Sequence, residues 1–275
     1  MFGRSGYPQG NYGNPGTRGL VSRLGAPLII GLVIFGFSYF QYCNTKSYNE
    51  YLGIEQHVSL TPEQEIAMGL QSLPMMVQQY GGLDPDQRGQ NLVKTVGNKL
   101  VQNSVAAKTP YQYDFHLLAD QETVNAFALP GGQVFITRAL LARLQNEDQL
   151  AGVLGHEIGH VIGRHSGERM SKEGLLSGLA NAVGIALGDY GAAQMAQQAA
   201  ALIGLKYGRD QELQSDELGV KFMLDSKYNP EAMIDVMEIL KQASGGSSQD
   251  EFTSTHPDPD NRKEKIRAAI DKYKK

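Results

Sequence analysis

Two histidines, His156 and His160, stand four residues apart in the stretch LAGVLGHEIGHVIGRH, and Glu157 directly follows the first. On an α-helix that spacing is one turn, so both imidazoles leave the same face. Neutral imidazoles on a shared face are ligands for a divalent metal. A carboxylate next to them, outside the ligand set, is placed to take a proton from metal-bound water. A third ligand is available in GRDQELQSDELGVKF, where Glu212 and Asp216 are again four apart. Two His and one Glu form a donor set for catalytic Zn2+, with the fourth position kept for water. In that set Glu212 is the ligand. Asp216, one turn further, accepts a hydrogen bond from the non-ligating nitrogen of a ligand histidine. The competing readings are two histidines on a half-buried helix and an ordinary acidic helix face that also includes Glu217.

The chain excludes several other chemistries. Its single cysteine, Cys43, rules out a thiolate zinc site or an intrachain disulfide framework. The net charge of −4 argues against a nucleic-acid partner. No G-x-S-x-G stretch occurs, so nothing points to a covalent serine intermediate. Of the other histidines, His165 lies five beyond His160, about 140° round a continuing helix, which predicts a surface or interhelical place. His116 falls in a predicted strand and His57 in a predicted linker, and neither reads as a ligand.

The elements that must carry these residues are mainly helical. Asn146 is the predicted N-cap of the histidine helix, over 147–165, with Gln149 in its third position and Glu147 and Asp148 at the positive end of the dipole. Thr61-Pro62 opens a helix to Gln79, and another runs from about Pro85 to Val105. Alternation predicts a strand over 111–118 and a strand pair within 123–136, broken at Pro130-Gly131-Gly132. Further helices are expected over 137–144, 171–204, 209–226, 230–243 and 259–273. The fold class is α+β, mainly helical with a small antiparallel sheet. Residues 174–205 carry one charge, Asp189, and read as an apolar helical hairpin, a lid over a cleft or a segment in contact with a membrane.

The N-terminus is a separate module. Residues 1–49 hold Arg4, Arg18, Arg23 and Lys46 and no acid, leaving 21 basic against 29 acidic side chains, a net −8, in the remainder. Residues 1–23 form a Gly/Asn-rich tail. Residues 24–45 are uncharged and, at ~1.5 Å per residue, span roughly 33 Å, enough for one bilayer crossing. Tyr39 and Tyr42 suit the far interface, and the early positive charge places the N-terminus in the cytoplasm. A linker over 46–60 and a domain over 61–275 that carries the candidate metal residues complete the division. A cleaved signal, lipidation at Cys43 and a buried core helix are the alternatives; the bulky Phe40-Gln41-Tyr42 fits a lipoprotein signal poorly.

The combination of HEIGH, ELQSD, upstream NAFALPGG and downstream THPDPDNR resembles the gluzincin zinc metallopeptidases of family forty-eight, over roughly residues 60–272. The resemblance implies a zincin-like domain, one Zn2+ per chain held by His156, His160 and Glu212, Glu157 as the catalytic acid/base, and Asp216 supporting a ligand histidine. Ser215 departs from the small alanine common beside that aspartate. Asn125, Ala126 and Phe127 resemble an edge strand where an extended peptide substrate would pair. His256 has three readings: a hydrogen-bond donor to the oxyanion, an occupant of the open zinc position that keeps the enzyme latent, or an exposed loop histidine. Arg262 would fix that loop or assist the intermediate.

The expected function is a membrane-anchored zinc metalloendopeptidase in envelope protein quality control, acting on misfolded or membrane proteins. The alternative is a chaperone or assembly factor for unfolded membrane clients with gated proteolysis. A bacterial inner membrane with an extracytoplasmic catalytic domain fits best; a periplasmic protein with a cleaved signal is the alternative.

Overall fold

The computed structural model describes residues 18–187, 207–243, 251–257 and 261–274. Its first helix, α1 (Arg18–Asn44), contains the apolar run, and Gly25–Asn44 is long and apolar enough to cross a membrane. Between those two residues only Gly31 is buried. The segment 46–60, expected to be a linker, instead holds a hairpin of β1 (Lys46–Asn49) and antiparallel β2 (Ile54–His57). Buried Asn49 explains the difference. Its Nδ2 donates to the Ile162 carbonyl at 2.7 Å while its Oδ1 accepts the amides of Tyr51 and Leu52, so the turn is tied to the end of the histidine helix.

Helix α2 (Pro62–Gln79) begins at a capping box: Thr61 Oγ1 accepts from the Gln64 amide and Gln64 Oε1 accepts from that of Thr61. Helix α3 (Gln87–Gln102) follows, then β3 (Asp114–Leu118), β4 (Ala126–Ala128) and β5 (Gln133–Thr137). The β4–β5 hairpin turns at Gly131 and Gly132, both at positive φ; a Cβ on Gly131 would also lie 2.3 Å from the Ile66 Cα. The sheet is mixed rather than wholly antiparallel. The order is β3-β5-β4, with β5 inserted between the other two, so it runs antiparallel to β4 and parallel to β3. The short α4 (Arg138–Leu141) follows, with Arg138 bridging Asp84 through two hydrogen bonds of 2.7 Å.

The histidine helix α5 (Glu147–Ile162) is buried from Gln149 onward. It packs among α3, the sheet, α7 (Arg209–Asp225) and α8 (Ala232–Ala243). Leu150, Leu154, Ile158 and Ile162 join Phe115, Ile136 and Phe222 in one fully buried cluster. Helix α5 stops three residues earlier than expected. Arg164 adopts φ 55°, and α6 (His165–Leu187) starts afresh after this two-residue break. Arg164 is fixed by donating to buried Glu65, which also accepts from Tyr111. Helix α6 packs along α1, with Gly178 against Ser38. Of the expected 174–205 hairpin, 174–187 belongs to α6, and the rest lies outside the described residues. Short α9 (Glu251–Thr255) and α10 (Arg262–Tyr273) complete the chain.

Candidate metal centre

Asn146 caps α5 as expected, accepting the Gln149 amide at 2.9 Å, and this sets the rotation that turns His156 and His160 to one side. Small residues then decide how near the second helix comes. A Cβ on Gly159 would sit 2.9 Å from both the Cα and the carbonyl oxygen of Ser215, and one on Gly155 would sit 3.3 Å from the Gly219 Cα. Helices α5 and α7 therefore touch backbone to backbone, which brings Glu212 and Asp216 against the two histidines. His256 enters from the end of α9. It is held by its backbone N–H, which donates to the Phe252 carbonyl, and by the Phe252 ring stacked 4.5 Å away. Arg262 opens α10 and reaches the same place.

The side chains converge closely. One ligand atom each from His156, His160, Glu212 and His256 lies within 4.8 Å of all the others, and all four residues are buried. The Nε2 atoms of His156 and His160 are 3.0 Å apart. Glu212 places its oxygens 3.4 Å from His156 Nε2, 3.3 Å from His160 Nε2 and 3.1 Å from His256 Nδ1. Four donors at bond lengths of about 2.0–2.1 Å in a tetrahedron would be separated by roughly 3.3 Å. The donor set thus fits a tetrahedral divalent ion in both spacing and chemistry. Glu212 Oε2 has no hydrogen-bond partner, which also suits a ligand atom.

The surrounding hydrogen bonds set the tautomers. Asp216 Oδ1 accepts from His156 Nδ1 at 2.8 Å, leaving His156 Nε2 bare toward the cluster. Asp216 is itself held by the Arg262 fork, at 2.6 and 2.9 Å. On the other side His165 Nε2 donates to Gln214 Oε1 at 2.7 Å. Its bare Nδ1 accepts from His160 Nδ1 at 2.9 Å, which again leaves Nε2 of His160 free to ligate. Tyr207 stacks over the His160 ring at 4.0 Å, and the Arg169 guanidinium lies over the Tyr207 ring at 4.7 Å.

Electrostatics follow from burial and these pairs. Burial opposes a charge on His156, but Glu212 and the Asp216 bond outweigh it and lift the imidazole to about 10. Burial holds His160 well below the ordinary histidine range. Burial also opposes the charge on Glu212, yet the neighbouring histidines hold that carboxyl well below the usual carboxylate range. For Asp216 the Arg262 charge likewise overcomes burial and lowers it. The carboxylates thus favour positive charge at His156, where a bound divalent cation would supply it instead. Glu157 behaves oppositely. It is wholly buried, neither carboxylate oxygen has a hydrogen-bond partner, and burial raises its pKa.

The structure brings together seven of the residues singled out from the sequence: His156, Glu157, His160, Glu212, Asp216, His256 and Arg262. His256 is 2% exposed, which removes the exposed-loop reading. Asn125, Ala126 and Phe127 lie at or on the edge strand β4, but their side chains face inward. Asn125 Nδ2 donates to Tyr80, and Phe127 stacks on Phe135 at 4.8 Å. The Asn125 carbonyl and the Leu129 amide bond toward β5. The antiparallel alternation therefore turns the amides of Ala126 and Ala128 away from β5, although both residues are buried. His165, Gln214 and Tyr207 were missed. His165 would lie about 140° from His160 only on a continuous helix, and the break at Arg164 turns its ring back onto His160. No sequence signal marked Tyr207.

A mainly helical zincin-like domain with two histidines on one helix and two acids on a helix packed against it defines a metallopeptidase. The chain belongs to Peptidase family M48, whose model matches residues 87–270. Relatives include the beta-barrel assembly-enhancing proteases of Yersinia pestis (30% identical over 224 residues, 77% of this chain and 45% of the relative) and Escherichia coli strain K12 (31% over 226 residues, again 77% and 45%). Another is mitochondrial metalloendopeptidase OMA1 of Schizosaccharomyces pombe (30% over 164 residues, 59% of this chain and 48% of the relative). The chain spans less than half the length of each.

Proposed function

We propose that this chain is a membrane-anchored, zinc-dependent metalloendopeptidase of the bacterial envelope, acting on misfolded or membrane-associated proteins. The observation that carries the reading is the convergence of four buried ligand atoms within 4.8 Å beside an unpartnered, buried Glu157. His156, His160 and Glu212 would hold Zn2+, with Asp216 and Arg262 orienting His156. When bound, zinc supplies Lewis-acid polarisation of the scissile carbonyl and acidifies a water toward about pKa 7. Glu157 takes the proton from the attacking water and returns it to the leaving amine. Its burial supports this role, because burial raises the pKa of the carboxyl and so makes it a stronger proton acceptor than an exposed glutamate. The backbone of edge strand β4, whose Ala126 and Ala128 amides turn away from β5, would pair with an extended substrate backbone.

One observation favours a second reading. His256 Nδ1 lies among the ligand atoms, 3.1 Å from Glu212 and 3.4 Å from His156 Nε2, and would be available as a fourth ligand. A chain at rest with His256 as fourth ligand is latent, and a chaperone-like role in client binding with gated proteolysis becomes the alternative. Zinc content and casein cleavage of the full chain in detergent separate the two. One zinc per chain, with cleavage lost in Glu157→Gln and raised in His256→Ala, is expected. Stoichiometric zinc without cleavage by any variant would move the assignment to client binding, and absence of zinc would refute the metal reading.

A further inference from the structure

Helix α6 leaves the metal centre and runs antiparallel to the candidate membrane span. The base of the pair is fixed by Ser171, whose hydroxyl accepts the Ser59 amide at 2.9 Å just beyond β2. There the last turn of α1 carries Tyr42, whose ring stacks on His57 at 4.2 Å. Further along, Gly178 sits against Ser38: a Cβ at that glycine would lie 2.6 Å from the Ser38 Cβ, so the contact needs the absence of a side chain. On α1 from Gly31 onward the less exposed positions are Gly31, Ile34, Ser38 and Tyr42, one stripe at helical spacing. The large apolar residues of the other faces, Leu32, Val33, Phe37 and Phe40 among them, are more than 60% exposed.

The charge patterns of the two helices match in space. The uncharged run of α1 ends at Lys46. On α6 the charges Glu168, Arg169, Lys172 and Glu173 all precede Gly174, and none occurs from 174 to 187. Gly174 and Leu175 line one groove with Gln41, Tyr42 and Thr45, so the two polar-to-apolar boundaries lie at the same level. Beyond that level α6 keeps apolar side chains in the open, with Leu179 39% and Ile185 40% exposed. Close approach through a glycine is also how helices associate in lipid, where no hydrophobic force drives them together.

We propose that residues 174–187 of α6 enter the same bilayer as α1, with acyl chains covering Leu179 and Ile185. This rests on the anchor reading of α1. Thirteen residue steps at ~1.5 Å take α6 about 20 Å past the boundary, roughly two thirds of a ~30 Å hydrocarbon core. Nine steps in the other direction lead from Gly174 to His165, which touches His160. The metal centre is therefore on the order of 14 Å along the helix from the membrane surface, within reach of protein segments that emerge from the bilayer.

Spin-label accessibility tests this in the full chain reconstituted into phosphatidylcholine/phosphatidylglycerol vesicles. On a Cys43→Ser background, nitroxides are placed singly at Leu32→Cys, Lys172→Cys, Leu179→Cys and Ile185→Cys, in variants that keep the wild-type circular dichroism spectrum. The expected result is that labels at 179 and 185 collide with oxygen and not with a water-soluble nickel chelate, as at 32, while 172 shows the reverse. Nickel accessibility at 179 and 185, or shielding from both reagents, with 32 still in lipid would overturn the proposal and leave the anchor reading intact. Nickel accessibility at 32 would refute the anchor reading and this proposal with it.

Discussion

The approach of α5 to α7 is so close that one methyl group should unseat the metal. In Gly159→Ala the new Cβ would lie 2.9 Å from the Ser215 Cα and carbonyl oxygen, whereas ordinary contacts begin at 3.4 Å. The helices must part by about half an ångström, and metal-ligand distances tolerate only about 0.2 Å. Without metal the two helices relax apart, and the alanine gains up to ~1 kcal/mol of helix propensity, so the fold survives. Binding metal must then draw Glu212 back toward His156 and His160 against overpacking of about 1–3 kcal/mol. The expected result is zinc binding about 5- to 150-fold weaker. Competition against a chromophoric chelator measures it, with circular dichroism to verify folding. Gly152→Ala is the control: its Cβ would meet Met233 at 3.4 Å and no ligand helix, so affinity should not change. A folded Gly159→Ala protein with wild-type affinity, or an equal loss in Gly152→Ala, would refute the argument that backbone contact positions the third ligand.

Two further outcomes follow from the groups behind the ligands. Asp216→Asn removes the charge shared by His156 and Arg262, so zinc affinity should fall by roughly ten- to a hundredfold; an unchanged affinity would show that His156 is oriented by packing alone. His165 is depressed by burial to about 4, below its unfolded value of about 6.5. The unfolded chain therefore binds the extra proton between those limits, and stability present above pH 6.5 is lost as pH falls toward 4, by about 1.4 kcal/mol per unit from this group. Urea unfolding of the metal-stripped protein should be less acid-sensitive in His165→Gln across that window, and identical slopes would contradict the buried neutral imidazole.

The unpartnered atoms at the centre separate two roles for buried acids. Asp216 is fully engaged by His156 and Arg262 and is held ionised as a fixed support. Glu157 occupies the adjacent space with no donor to either oxygen, so its charge is destabilised and its proton is mobile. The same burial acts on both residues, and the difference lies in the partner each is given.

Local features of this protein were legible because they depend on neighbours within a few residues. The Thr61 and Asn146 caps, the one-turn spacing of His156 and His160 and of Glu212 and Asp216, the Pro-Gly-Gly reversal and the uncharged apolar run all follow from helix period, turn chemistry and charge. What lies between distant segments did not. Asp216 and His256 meet His156 across 60 and 100 residues, and their convergence depends on the absence of a side chain at Gly159 and on Phe252 seating the last histidine. Arg164, held by Glu65 far upstream, breaks the helix and turns His165 inward; Asn49 converts an expected linker into a hairpin by reaching the Ile162 carbonyl. Insertion of β5 beside β3, and the alignment of α6 with α1, were likewise settled by packing. Sequence determined which faces each segment would present, and tertiary structure decided which faces met, because close approach is a property of two surfaces at once.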